Sequence, residues 1–222
     1  MSPPVTLALV HSPLVGPLTW RAVAAELSGE FGVVVPSAAG ATQREIAEAV
    51  AASLDVDGPV ILIGHSGAGR LLPRIARAVR SPVAGLIYAD SALPEPGRSW
   101  MDTAPPERAR HLRGLAEDGM LPPWHEWFPP EVLAETVPDP GVRSAFVREI
   151  PRLPLGYFTE PGSPDRWTGP AGYLLLSEDY RASAEQARRA GLPVAEVVSH
   201  HLAMLTDPVA VGAGLRELVA RW

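Results

Sequence analysis

The sequence predicts an α/β fold: a doubly wound, mainly parallel six-stranded sheet covered by helices on both faces, three layers in all. Three observations predict it. Short runs of aliphatic and β-branched residues alternate with amphipathic segments along most of the chain. The central runs are apolar at every position rather than at every second one, as in parallel strands buried on both faces. A glycine-rich junction, Ile63-Gly64-His65-Ser66-Gly67-Ala68-Gly69, stands where the third such run meets the helix after it.

Taken in order, Val5–Val10 reads as a buried strand, and residues 17–29 follow as a helix with Leu18, Val23 and Leu27 on one face. Gly32–Pro36 is the second strand. Thr42–Leu54 is a helix in which Ile46, Ala49, Val50 and Ser53 recur at helical spacing. Pro59–Ile63 is the third strand, and a helix runs from Gly67 to about Val79. Val83–Ala89 is the fourth strand. After a long interruption the rhythm resumes with strand Tyr173–Leu176, helix 182–190 and strand Val194–Val198. A last helix runs to Trp222, with Asp207 as its N-cap and Pro208 in its first turn.

The interruption, about residues 92–170, has no strand pattern and holds four of the six tryptophans. Much of the proline is there too: the chain has 25, roughly twice an average share. Short helices are expected at 105–117, 130–136 and 140–149. The segment is too irregular to own a core, so residues 1–222 read as a single domain with a helical, Pro-rich insertion. At 46% hydrophobic residues, disorder is not the cause of the proline excess.

Composition narrows the function. There is no cysteine, which removes disulfides, thiolate metal sites and thiol nucleophiles. A net charge of −6 without a basic stripe speaks against a nucleic-acid partner. No apolar run has the ~18 residues of a membrane span. The opening Met1-Ser2-Pro3-Pro4 lacks the basic and hydrophobic blocks of a signal peptide, so a cytoplasmic location is expected. No metal or cofactor is implied.

The junction around Ser66 carries the chemistry. A serine on a sharp strand-to-helix turn projects its hydroxyl above the carboxyl edge of the sheet. Small residues at Gly64 and Ala68 permit that turn, and the N–H of Gly67 at the helix start can stabilise negative charge. The motif departs from G-x-S-x-G by having Ala68 fifth and Gly69 after it. A phosphate loop would need its lysine and hydroxyl, and both are absent. A serine nucleophile also needs a base and an acid. His201 follows the last strand and Asp179 follows the strand before it, so all three stand at carboxyl ends of parallel strands. His200 is read as a neighbour of the base; His111 and His125 as surface or core residues.

On these residues the chain resembles the α/β-hydrolase superfamily, and within it the small subgroup of plant methyl esterases and hydroxynitrile lyases. Four stretches carry the resemblance: His11–Trp20, Gly64–Gly69, Glu178-Asp179 and His201–Leu205. It implies the α/β-hydrolase fold without its first two strands, with Ser66 as nucleophile, His201 as base and Asp179 as acid. The insertion would be the cap over the substrate pocket. Asp90, at the end of the fourth strand, is the rival acid, a place some superfamily members use; Glu178 would point away from Asp179. The departure lies at His11-Ser12-Pro13. The residue expected to give half the oxyanion hole is Pro13, which has no N–H. The second donor is then the Leu14 N–H or the Ser12 hydroxyl, or the chemistry develops little oxyanion. Hydroxynitrile lyases also have a hydroxyl residue at the place of Ser12, but they follow the base with a lysine where this chain has Leu202.

The expected substrate is a hydrophobic small molecule touching Pro13, His65, Trp100, Trp124, Trp127 and Phe128. The expected reaction is hydrolysis of an ester, thioester or lactone through an acyl-serine. A cyclase or lyase of natural-product metabolism, or a non-enzymatic ligand receptor, are the other roles compatible with these residues.

Overall fold

The computed structural model describes residues 5–222, so the Met1–Pro4 opening lies outside the described residues. Six parallel strands form one sheet: β1 (Thr6–Val10), β2 (Gly32–Val34), β3 (Val60–His65), β4 (Val83–Ala89), β5 (Ala171–Leu175) and β6 (Val194–Glu196). Their spatial order is β2-β1-β3-β4-β5-β6. The order reverses beside β1, which opens a crevice at the carboxyl ends of β1 and β3.

Alternation along β1 divides the core. Leu7 and Leu9 face a layer built from α1 (Leu18–Leu27), with Trp20, Val23 and Leu27, and from a late helix with Val211, Leu215 and Leu218. Ala8 and Val10 face the opposite layer, where α2 (Gln43–Ala52) and α3 (Leu72–Ala78) bury Ile46, Val50, Leu72 and Ile75. The six-stranded, doubly wound expectation holds.

Boundaries follow local chemistry. Thr42 is the N-cap of α2, and Thr42 and Glu45 close a capping box, an arrangement that contributes about 1 kcal/mol. The helix expected from Gly67 begins instead as a tight 3-10 turn over Ser66–Leu71, and α3 continues from it. Pro73 explains the change: it has no N–H to give the carbonyl four residues back. The last helix opens where expected, as α10 (Pro208–Val219), with a one-turn helix α9 (Ala203–Thr206) before it. Asp207 accepts from the Ala210 N–H at 3.1 Å as the N-cap of α10. Strand β6 is shorter than expected, ending at Glu196.

Between β4 and β5 lie α4 (Trp100–Thr103), α5 (Pro106–Leu115), α6 (Pro130–Thr136) and α7 (Pro140–Arg148). The last three match the sequence expectation to within two residues, and proline opens each of them. Sequence reading did not foresee α4, although Ser99 and Asp102 form its capping box. After β5 comes α8 (Arg181–Arg189).

Candidate active site

Register brings the chemistry together. His65 of β3 pairs with Ala89 of β4, so the next residues, Ser66 and Asp90, leave adjacent strands side by side. Both adopt left-handed backbone, with φ of 54° and 45°, which costs a non-glycine residue roughly 1–2 kcal/mol. Tight packing enforces the turn at Ser66. A Cβ on Gly64 would stand 2.9 Å from the Gly69 N, and one on Gly69 would stand 2.1 Å from the Ser91 Oγ. Ala68 is fully buried. Tyr173 braces the neighbouring turn: its hydroxyl donates to the Ser91 carbonyl at 2.8 Å and accepts from the Ser91 N–H at 3.2 Å.

Asp90 is fully buried and its carboxylate meets four donors. Oδ1 accepts from the Leu176 and Ser177 N–H groups at 2.8 and 2.9 Å. Oδ2 accepts from the Ser177 hydroxyl at 2.5 Å and from His201 Nδ1 at 2.7 Å. Burial pushes this carboxyl up, but the bonds from His201, Ser177 and Leu176 outweigh it and hold it below the usual carboxylate value. With Nδ1 donating to Asp90, His201 keeps Nε2 on the side of the shared cavity, where its ring and Ser66 are both part of the wall.

Here the structure departs from the sequence expectation. The carboxylate on His201 is Asp90, not Asp179. Residues Glu178–Tyr180 curl into a 3-10 turn instead of extending β5. Glu178 turns to Arg181, at 2.6 Å, and Asp179 sits exposed on the cavity wall with no hydrogen bond to the histidine. The available signal was an aspartate ending the strand beside the serine's own strand. It was outweighed by the match of Glu178-Asp179 to the family pattern.

The loop after β1 faces Ser66. Ser12–Val15 is a turn closed by the Val15 N–H on the Ser12 carbonyl at 3.0 Å, with Pro13 in its second position, where a fixed φ is favoured. His11 anchors it: Nδ1 donates to the same carbonyl at 2.8 Å and Nε2 accepts from the Ala38 N–H at 3.0 Å. The Leu14 N–H points at the Ser12 Oγ, 3.3 Å away. That oxygen lies against Gly67, where an added Cβ would meet it at 3.1 Å. The first N–H groups of the turn, including that of Gly67, precede any intrahelical acceptor.

His65 lies behind the cavity wall, 1% exposed, rather than on the substrate side. Its Nε2 donates to the His201 carbonyl at 2.9 Å, and its ring lies 4.5 Å from the His201 ring. Burial, aided by His201, pushes its pKa down to about 3, so it is neutral at physiological pH. His200 borders the cavity, with Nε2 donating to the Thr206 hydroxyl at 2.8 Å.

Above Ser66 opens a cavity of about 990 Å³. Pro13, Leu14, Trp100, Trp124, Trp127 and Phe128 line it, as do Tyr157 and Phe158. The aromatic residues also hold one another. Trp100 meets Phe158 edge to face at 5.4 Å, and Trp124 meets Phe128 at 4.9 Å. Among the described residues, no group of three or more His, Asp or Glu is arranged to hold a metal ion. Nor is any described helix long and apolar enough to cross a membrane.

A fold of this kind with a serine at the elbow after its third strand defines a class. The model of the alpha/beta hydrolase family matches residues 7–213, and the chain belongs to that family. No protein of curated function matches the sequence. Solved structures share its architecture at low identity. An extracellular alpha/beta-hydrolase from a Paenibacillus species, described as homologous to tobacco salicylic acid binding protein 2, has a TM-score of 0.80 at 20% identity. The likeness covers 97% of this chain and 99% of that one. A pyrethroid hydrolase from Sphingobium faniae gives 0.74 at 20% identity, over 98% and 100% of the two chains. Tomato methylketone synthase I gives 0.71 at 13%, over 99% of each.

Proposed function

We propose that the protein is a serine hydrolase that cleaves an ester, thioester or lactone of a hydrophobic small molecule through an acyl-serine. The observation that carries this reading is the register of β3 and β4, which sets Ser66 beside the Asp90 carboxylate that holds His201. In the proposed reaction Ser66 Oγ attacks the acyl carbon while its proton passes to His201 Nε2. Asp90 fixes the tautomer and offsets the charge of the imidazolium. His201 then gives the proton to the leaving oxygen or sulfur, takes one from water, and the acyl-serine is hydrolysed.

The oxyanion forms between the Gly67 N–H and the Ser12 hydroxyl. The Leu14 N–H donates to the Ser12 oxygen, which frees and polarises the Ser12 proton for the substrate. This arrangement answers the missing N–H of Pro13. The segment between β4 and β5 serves as the cap, and its aromatic lining favours an apolar substrate. Fully buried apolar Leu202 follows the base, where hydroxynitrile lyases carry a lysine, which favours hydrolysis over cyanohydrin cleavage.

Incubation with a fluorophosphonate probe, with p-nitrophenyl acyl esters assayed in parallel, tests the proposal. Wild type should carry one adduct at Ser66 and hydrolyse the esters, and Ser66→Ala should do neither. An unlabelled, folded wild type would sink it.

A further inference from the structure

The aromatic wall of the cavity is interrupted by a cation. Arg70 lines the cavity from the same 3-10 turn as the serine, Ser66–Leu71. Side chains three apart on such a turn lie one above the other, so Arg70 rises over Gly67, about 6 Å along the axis. Its guanidinium rests on neutral oxygens: the Thr103 hydroxyl takes one Nη1 hydrogen, and the Arg98 and Ser99 carbonyls take those of Nη2. The Nε–H and the second Nη1 hydrogen have no acceptor among the described residues. No carboxylate pairs with the group either. Asp102 turns its Oδ2 to Ser99, and Glu95 is exposed, so both act on Arg70 only from beyond ion-pair distance. The other charged residues of the wall lie on other elements: Arg108 on α5, and Asp179 on the β5 turn beside Glu178, which is paired with Arg181. A half-buried cation with donors to spare and no counter-ion is completed by an anion from the cavity.

We propose that Arg70 determines specificity by binding a free carboxylate on the acyl part of the substrate, so that the substrate is the ester or thioester of a hydrophobic dicarboxylic acid. This rests on Ser66 being the nucleophile. His201, which hands its proton to the leaving group, marks the leaving-group side. Arg70 stands instead on the turn of Gly67, the oxyanion donor, where the acyl part is held through both acylation and deacylation. The aromatic side chains take the apolar body of the acyl chain, and the spare guanidinium hydrogens take its far end.

Two matched series test this: mono-p-nitrophenyl esters of the dicarboxylic acids from adipate to sebacate, and p-nitrophenyl esters of the monocarboxylic acids of the same lengths. Wild type should prefer the carboxylate-bearing ester at one chain length by about tenfold or more in kcat/KM. Arg70→Met should erase that preference, with the loss in KM, and Arg70→Lys, which keeps the charge without the planar fork, should retain part of it. Ser99→Ala weakens the cap of α4 but leaves the guanidinium, so it should change both series alike and keep their ratio. A wild type that favours the monocarboxylic esters at every length overturns the inference, whether or not the variants fold, while Ser66 stands as nucleophile. So does an Arg70→Met that loses both series equally, since Arg70 would then only hold α4. A wild type that takes no fluorophosphonate label and cleaves neither series overturns both readings, so the two failures are distinguishable.

Discussion

Asp90 and Asp179 differ in what surrounds them, and that difference can be measured. Asp90 is fully buried against four donors, whereas Asp179 is exposed and makes no bond to His201. Asp90→Asn should lower kcat by about 10³–10⁴-fold, because an amide facing Nδ1 favours the wrong tautomer. Asp179→Asn should stay within a few-fold of wild type; the reverse ranking in steady-state assays would return the acid to Asp179. Ser12→Ala removes the proposed side-chain donor and should cost about a hundredfold in kcat with KM little changed. An unchanged kcat would move the hole to the Leu14 N–H. At this scale the placing of Ser66 and His201 at one edge of the sheet was legible, because it follows from strand ends. The carboxylate that meets His201 was not, because a strand end does not reveal whether the chain beyond it extends or curls.

Elements joined across the site have consequences of their own. Arg70, one turn after Ser66, donates Nη1 to the Thr103 hydroxyl at 2.8 Å and Nη2 to the Arg98 and Ser99 carbonyls at 3.3 and 3.2 Å. It ties α4 to the serine's own turn. Arg70→Met keeps much of the side-chain volume but cuts these bonds. It should speed amide exchange over 98–104, seen by hydrogen–deuterium exchange, and lower stability by about 1–3 kcal/mol. If exchange there is unchanged, α4 is held by Trp100 against Phe158 instead. Strands and long helices were readable from their periodicity. Helix α4 escaped because four residues are too few to show a period, and only its capping box marked it.

Across the whole molecule, two buried histidines tie stability to pH. Burial lowers the pKa of His11 and takes that of His65 down to about 3. The unfolded chain takes up these protons near pH 6.5, whereas the fold refuses them. Stability is therefore full above about pH 6.5 and falls as the pH drops below it, by up to about 1.4 kcal/mol per unit for His65 down to about pH 3, with His11 adding to the fall. Calorimetry should show Tm falling by several degrees between pH 6.5 and 5, and His65→Gln should flatten that slope. A flat wild-type profile over this range would refute the linkage.

The sheet's outer boundary bears on what happens once the protein is heated. Its two outermost strands, β2 and β6, are three residues each, while the longer strands are enclosed between neighbours. Partly opened molecules would present only a brief row of free amides and carbonyls for another copy to zip onto. Loss of activity on warming should thus come first from unfolding rather than from fibrous self-association.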